Sequence, residues 1–100
     1  MRTKMQAIVK KPTWFVAKVV RYGTDHMGET TILLEDVRAL NQGEVADHLW
    51  LPGSFFVGLK PKSTIRFFGK VGTRKRQDEL NPLETKVDYN INSIKYVRVI

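Results

Sequence analysis

Hydrophobic and polar residues alternate most regularly in the stretch from Thr64 to Val71. Side chains two residues apart lie on the same face of a β-strand, so this pattern predicts a strand with two different faces. One face carries Ile65, Phe67, Gly69 and Val71, and the other carries Arg66, Phe68 and Lys70. The first face suits a protein core. The second places an aromatic ring between two cations.

Four other segments are predicted as strands because they are rich in β-branched and aromatic residues and are bounded by turn residues. They are Thr13–Tyr22, Thr30–Leu40, Asp47–Leu51 and a final run from Val87 to Ile100, for which an interruption at Asn90 and at Asn92-Ser93 is the alternative to a continuous strand. A helix over Leu33–Leu40 is the alternative for part of the second segment, but the following Asn41-Gln42-Gly43 favours a hairpin. The segment Ser54–Leu59 is predicted to form one or two helical turns after Pro52.

Five strands of this length fit a small closed barrel, since closure removes the unpaired edges of a flat sheet. We therefore predict an all-β fold, a five-stranded closed barrel with one short helix between strands 3 and 4. Residues 13–100 would form this single domain, and residues 1–12 a basic N-terminal leader. The loops between strands 1 and 2 and between strands 4 and 5 would be Gly23–Gly28 and Gly72–Lys86.

Charge adds a second layer to this prediction, because the chain of 100 residues has a net charge of +7 and its charges are segregated. Residues 1–22 contain six bases and no acid, residues 23–51 contain six acids and one base, and residues 52–76 contain seven bases and no acid. If the two basic segments meet in the fold, one side of the protein is basic and the other acidic. Nucleic acid is the usual partner of such a basic surface.

The chemistry of the side chains offers little for catalysis. The chain has no cysteine, which excludes disulfides, thiolate catalysis and cysteine-ligated zinc. His26 and His48 lack the spacing of a metal site, and neither a phosphate-binding glycine loop nor a nucleophile elbow is present. We therefore expect no enzyme activity and no cofactor. The absence of cysteine, of a signal peptide and of a long apolar run leads us to expect a cytoplasmic protein without a membrane partner.

The strand order, the helical connection after Leu51, and the phrase from Gly58 to Val71 with its internal Gly69 together resemble the oligonucleotide/oligosaccharide-binding (OB) fold. A short basic module with a long loop between strands 4 and 5 is similar to single-stranded-DNA-binding proteins of phages and mobile elements. The resemblance implies that the five-stranded barrel is an OB-like Greek-key barrel in which strand 1 adjoins strand 4. It also implies a ligand site on strands 2 and 3, framed by the loops after strands 1 and 4. Arg74, Lys75 and Arg76 would lie in the second loop, but the acidic Glu35 and Asp36 of strand 2 would repel phosphate.

We predict binding of single-stranded nucleic acid, DNA in the first place, with little sequence preference. Cations would follow the phosphates, and exposed rings would stack on bases. The candidate residues are Lys18, Arg21, Tyr22, Trp50, Arg66, Phe68, Lys70, Arg74, Lys75 and Arg76. The alternative for Phe68 is a buried position, the core is the favoured place for Trp14 and Trp50, and Lys95 and Tyr96 are weaker candidates.

Two other functions remain open. The first is a protein-interaction module, such as an inhibitor or assembly factor of a phage or mobile element, whose charged sides pair with a protein partner or a second copy. A small SH3-like barrel would serve that role as well. The second is a binder of double-stranded RNA or of the ribosome, which shares the charge argument. Binding of single-stranded and duplex oligonucleotides over a salt series would separate these functions.

Overall fold

The computed structural model describes the backbone of residues 10–40, 42–77 and 85–100, and their side chains except those of 74–77 and 85–88. Its strands are β1 (Pro12–Thr24), β2 (Thr30–Ala39), β3 (Gly43–Pro52), β4 (Thr64–Gln77) and β5 (Thr85–Val99), with one 3-10 turn, η1 (Gly53–Phe55). The strands form one antiparallel sheet in the order β3-β2-β1-β4-β5. The two basic segments of the sequence therefore meet where β1 pairs with β4.

A single core lies on one face of this sheet, which we call the inner face. The alternating positions Ile65, Phe67, Gly69 and Val71 of β4 are all buried, as predicted. Phe67 stacks on Phe15 of β1 at 5.4 Å between ring centroids. Phe67 also meets the ring of Phe56, just after η1, edge-on at 5.4 Å. Phe56 is fully buried, so the segment after η1 covers the core on the inner side of the sheet.

Extra residues in several strands bend the sheet around this core. Between Arg66 and Lys70, β4 pairs with a stretch of β5 that is two residues longer. Ser93 and Tyr96 in that stretch have φ angles of 53° and 59°. In β2, Asp36 (φ 51°) is similarly an extra residue opposite β1. Such bulges bend a strand and increase its twist. As a result η1 contacts both β2 and β5, although two strands separate them in the sheet.

The prediction of an all-β fold with five strands is confirmed, and the predicted short helix is a single 3-10 turn. The sheet is not closed: within the described ranges, no ladder joins β3 to β5. β3 begins at Gly43 instead of Asp47, and β5 is continuous through Asn92 and Ser93. In the predicted leader, residues 1–9 lie outside the described residues. The Lys10 N–H donates to the carbonyl of Val71 at 2.8 Å, and β1 begins at Pro12.

One boundary changes the functional prediction. β4 continues to Gln77 and pairs with β5 from Val71–Ile91 to Gln77–Thr85. Arg74, Lys75 and Arg76 therefore lie in a strand, and the prediction that they belong to a loop is wrong. The segment Arg74–Gln77 contains no apolar residue, so hydrophobic alternation could not reveal that the strand continues through it.

Candidate nucleic-acid interface

Opposite the core, β1, β4 and β5 present a solvent-facing surface, which we call the outer face. The register places Trp14 of β1 beside Phe68 of β4, and Phe68 beside Lys95 of β5. Strand alternation turns Trp14 and Phe68 outward because their neighbours Phe15 and Phe67 are buried. The bulge at Tyr96 breaks the alternation in β5, so that Lys95 and Tyr96 are both exposed.

Three rings meet on the outer face and form an aromatic cluster of Trp14, Phe68 and Tyr96. The ring centroids of Trp14 and Phe68 are 5.2 Å apart, with an interplanar angle of 65°. Tyr96 lies 6.1 Å from Trp14 and 6.2 Å from Phe68. The exposed fraction is 37% for Trp14 and 62% for Tyr96, and Phe68 is half-buried between them. The cluster therefore offers accessible aromatic surface on which a base can stack.

Cations surround the aromatic cluster. The guanidinium carbon of Arg66 lies 5.5 Å from the centroid of the Trp14 ring. The ammonium of Lys95 lies 6.0 Å from the Phe68 ring and 5.7 Å from the Tyr96 ring. These are cation–π distances. The rings and the charges thus share one surface, as a ligand with both bases and phosphates requires.

No acidic residue occurs among the described side chains of β1, β4 and β5. The cations among these described side chains are Lys18, Arg21, Arg66, Lys70, Lys95 and Arg98. Within the described part of the chain, none of them forms a salt bridge with a carboxylate. In its described residues the outer face is therefore positively charged, and such a surface attracts polyanions.

A second exposed tryptophan lies on the other side of β1. Trp50 of β3 is 45% exposed. It pairs with Leu33 of β2, which in turn pairs with Arg21 of β1. The guanidinium carbon of Arg21 lies 5.1 Å from the Trp50 ring centroid. A Cβ atom on Gly23 would come within 3.0 Å of the Trp50 ring, so the glycine leaves room for the indole against the backbone of β1.

The acidic side chains that the structure describes lie in the other half of the sheet and its first turn. The described acids are Asp25, Glu29, Glu35, Asp36, Glu44 and Asp47. Asp36 pairs with Arg38 at 3.1 Å, and Glu35 lies 3.8 Å from the Nε2 atom of His48. The predicted segregation of charge is thus present in the tertiary structure, with β2 and β3 acidic and β1, β4 and β5 basic.

Most of the predicted site residues lie on the outer side of the sheet, but they do not form one compact cluster. Lys18, Arg66, Phe68 and Lys70 lie on β1 and β4, while Trp50 lies on β3 beside Arg21. The side chains of Arg74, Lys75 and Arg76 lie outside the described residues.

Tyr22 has a different environment from the other candidates. Its hydroxyl donates to the carbonyl of Phe56 and accepts from the N–H of Leu59 at 3.1 Å. The side chain packs against the core. Both hydrogen-bonding capacities of the hydroxyl therefore serve to hold the segment after η1, while the side chain also lines the cleft described below.

Three residues of the outer face lie outside the main set of sequence candidates. For Trp14 the sequence favours the core, and Lys95 and Tyr96 are only weaker candidates. A signal for Trp14 was present: once Phe15 and Ala17 are assigned to the core, Trp14 shares its face with Lys18. No such signal existed for Tyr96, because bulges at Ser93 and Tyr96 change the face that each residue of β5 occupies.

Comparison with known proteins finds no family model that matches this chain, and no curated protein or solved structure with significant similarity. In the described residues, no three His, Asp or Glu side chains are grouped so as to hold a metal ion. Nor does any helix in these ranges have the length and apolar character needed to cross a membrane. The function must therefore be inferred from the geometry of the outer face.

Proposed function

We propose that this protein binds single-stranded nucleic acid, DNA in the first place, on the outer face of β1, β4 and β5. The observation that carries the proposal is the aromatic cluster of Trp14, Phe68 and Tyr96, set among Arg66 and Lys95 on a face without described acids. A basic surface alone would attract any polyanion. Exposed rings among the cations favour a ligand whose base faces are accessible.

The energetics favour a single strand over a duplex. Stacking of a base on an aromatic side chain contributes roughly 1–3 kcal/mol and does not depend strongly on which base it is. In a duplex the base faces are covered by their neighbours, so only the phosphates would contact this surface. We therefore expect binding with little sequence preference at the aromatic cluster.

We extend the proposal to the fold, as an OB-like Greek-key barrel that remains open between β3 and β5. The order β3-β2-β1-β4 supports it, because a Greek key places the fourth strand beside the first. The pairing of β1 with β4, which the OB resemblance implies, and the position of η1 between β3 and β4 also support it. OB folds are partly open barrels whose β2–β3 face binds ligands, and Trp50 lies on that face.

A protein-interaction module is the second candidate function. The confinement of the described acids to β2, β3 and the β1–β2 turn favours it, because complementary charged sides suit pairing with a protein partner or a second copy. In that case the protein would show no preference for single strands over duplexes.

Fluorescence anisotropy with labelled single-stranded and duplex oligonucleotides of equal length, over a series of salt concentrations, tests the proposal. We expect tighter binding of the single strand and a steep loss of affinity as salt rises, because phosphate contacts release counterions. Absence of single-strand binding at low salt would refute the proposal. Equal affinity for both forms would indicate a general polyanion surface.

Replacement of one ring tests the role of the aromatic cluster. Phe68→Ala is expected to weaken single-strand binding by roughly tenfold, because one stacking contact is lost. Phe55→Ala is the matched control: Phe55 lies on η1, away from the outer face, and is 47% exposed. If the two variants bind alike, the cluster does not contact the ligand.

A further inference from the structure

A cleft of about 730 Å³ lies beside Trp50, between the turn that joins β1 to β2 and the segment from β3 to η1. This volume is within the range of small-ligand sites, roughly 300–1,000 Å³. The residues that line it include Trp50, Leu51 and Val57, which are aromatic or apolar, and the acidic Asp25 and Glu29. The cleft thus combines an aromatic surface with hydrogen-bond acceptors.

The turn fixes the position of Glu29. One carboxylate oxygen of Asp25 accepts from the N–H groups of Met27 and Glu29, both at 2.9 Å. The Asp25 N–H in turn donates to the Glu29 carbonyl at 2.9 Å. Asp25 is therefore engaged in holding the turn. The Glu29 side chain is exposed and makes no hydrogen bond or salt bridge within the described part of the chain.

The charge of the cleft selects which part of a nucleic acid can enter. Carboxylates repel phosphate, so a phosphate group would stay outside, on the basic outer face. Arg21 lies at the boundary, because it belongs to β1 and its guanidinium covers the Trp50 ring. A strand bound along β1 could therefore keep its phosphates near Arg21 and place a base against Trp50.

We propose that the cleft receives one unstacked base of the bound strand, and that Glu29 favours a base with an amino group. Carboxylates accept hydrogen bonds from the N4 amino group of cytosine, whereas thymine presents the acceptor O4 at the same position. The cleft then adds a preference at one position to the sequence-tolerant stacking on the aromatic cluster. This inference rests on the proposed function.

The test uses two oligonucleotides of twelve nucleotides each, one of deoxycytidine only (dC12) and one of thymidine only (dT12). Their affinities are compared by fluorescence anisotropy at pH 7.5 and one salt concentration. For the wild-type protein we expect dC12 to bind roughly tenfold more tightly than dT12. In Glu29→Ala this preference is lost, and dT12 binds somewhat more tightly because a negative charge has been removed. Glu44→Ala, which removes a carboxylate at the start of β3 and outside the cleft, keeps the preference.

The outcomes separate the inference from the proposed function. If neither oligonucleotide binds, the proposed function itself fails. If both bind equally, or if Glu29→Ala keeps the wild-type preference, the cleft does not read a base and the inference fails alone. Phe68→Ala adds a further control, since it should weaken dC12 and dT12 by the same factor and leave their ratio unchanged.

Discussion

At the scale of single residues, both exposed tryptophans carry an arginine over the ring. Arg66 lies over Trp14, and Arg21 lies over Trp50. A cation–π contact at an exposed site contributes about 0.5–1 kcal/mol, whereas a stacked base contributes about 1–3 kcal/mol. A base can therefore replace the guanidinium on the ring at a net gain, and the released arginine is then placed to contact a phosphate of the same strand.

Tyr22 allows a prediction at this scale, because its hydroxyl joins the Phe56 carbonyl and the Leu59 N–H. Tyr22→Phe should lower the free energy of unfolding by about 1–2 kcal/mol, since both groups lose their partner in a partly buried site. Urea denaturation measures this change. Tyr96→Phe is the control and should change stability little, because Tyr96 is exposed and its hydroxyl makes no hydrogen bond with the described residues.

The Tyr22→Phe variant also shows whether the Tyr22 hydroxyl contacts the ligand or only stabilises the fold. Single-strand affinity of Tyr22→Phe, measured where the protein is fully folded, should equal that of the wild type. A loss of affinity without a loss of stability would indicate that the Tyr22 hydroxyl contacts the ligand.

At the scale of elements, the outer face depends on the irregular pairing of β4 with β5. A regular β5 would turn adjacent residues to opposite faces, so Lys95 and Tyr96 could not both be exposed on it. The extra residues at Ser93 and Tyr96 place both of them on the outer face. Bulges are frequently found where a strand must redirect a side chain near a site.

Gly69 tests how closely β4 and β5 approach on the inner face. A Cβ atom there would lie 2.6 Å from Cγ2 of Ile91, a branched side chain in the core. Gly69→Ala should therefore destabilise the protein by about 1–3 kcal/mol through overpacking, measured by urea denaturation. At Gly72 a Cβ atom would lie 2.5 Å from Nδ2 of Asn92, an exposed side chain that can rotate away. Gly72→Ala should therefore cost less, and equal costs would contradict the packing described for Gly69.

At the scale of the whole molecule, the tertiary structure separates the charges. β1 and β4 lie side by side, and β2 and β3 carry four of the described acids at the opposite side of the sheet. A polyanion approaching the molecule is therefore attracted to one half and repelled by the other. If the protein binds nucleic acid as proposed, this field would orient the ligand before any ring makes contact.

Salt dependence gives the matching prediction. Removal of one phosphate contact should reduce the slope of log affinity against log salt concentration by about 0.7 for a single strand. We expect this change for Arg66→Ala, whose side chain lies on the outer face. Lys60→Ala also removes one exposed cation, from the turn before β4, and should leave the slope unchanged. The same slope in both variants would indicate that charge acts only through its total.

The strand content, the core face of β4 and the segregation of charge could be predicted from the sequence alone. These properties follow from local alternation and composition, and they are present in the structure at Ile65, Phe67 and Val71 and in the acid-free β1 and β4. The sequence also identified Arg66, Phe68 and Lys70 as outward residues, because a period of two is sufficient to assign a face.

Three features depend on the tertiary structure: the residues that form the outer face, the length of β4 and the open edge of the sheet. Trp14, Phe68 and Tyr96 come from three strands, and their contact depends on strand register and on two bulges that no local pattern encodes. The extension of β4 to Gln77 is seen in its backbone pairing with β5, which side-chain alternation does not reveal. Alternation depends on neighbours in the chain, whereas register and pairing depend on contacts between segments far apart in it.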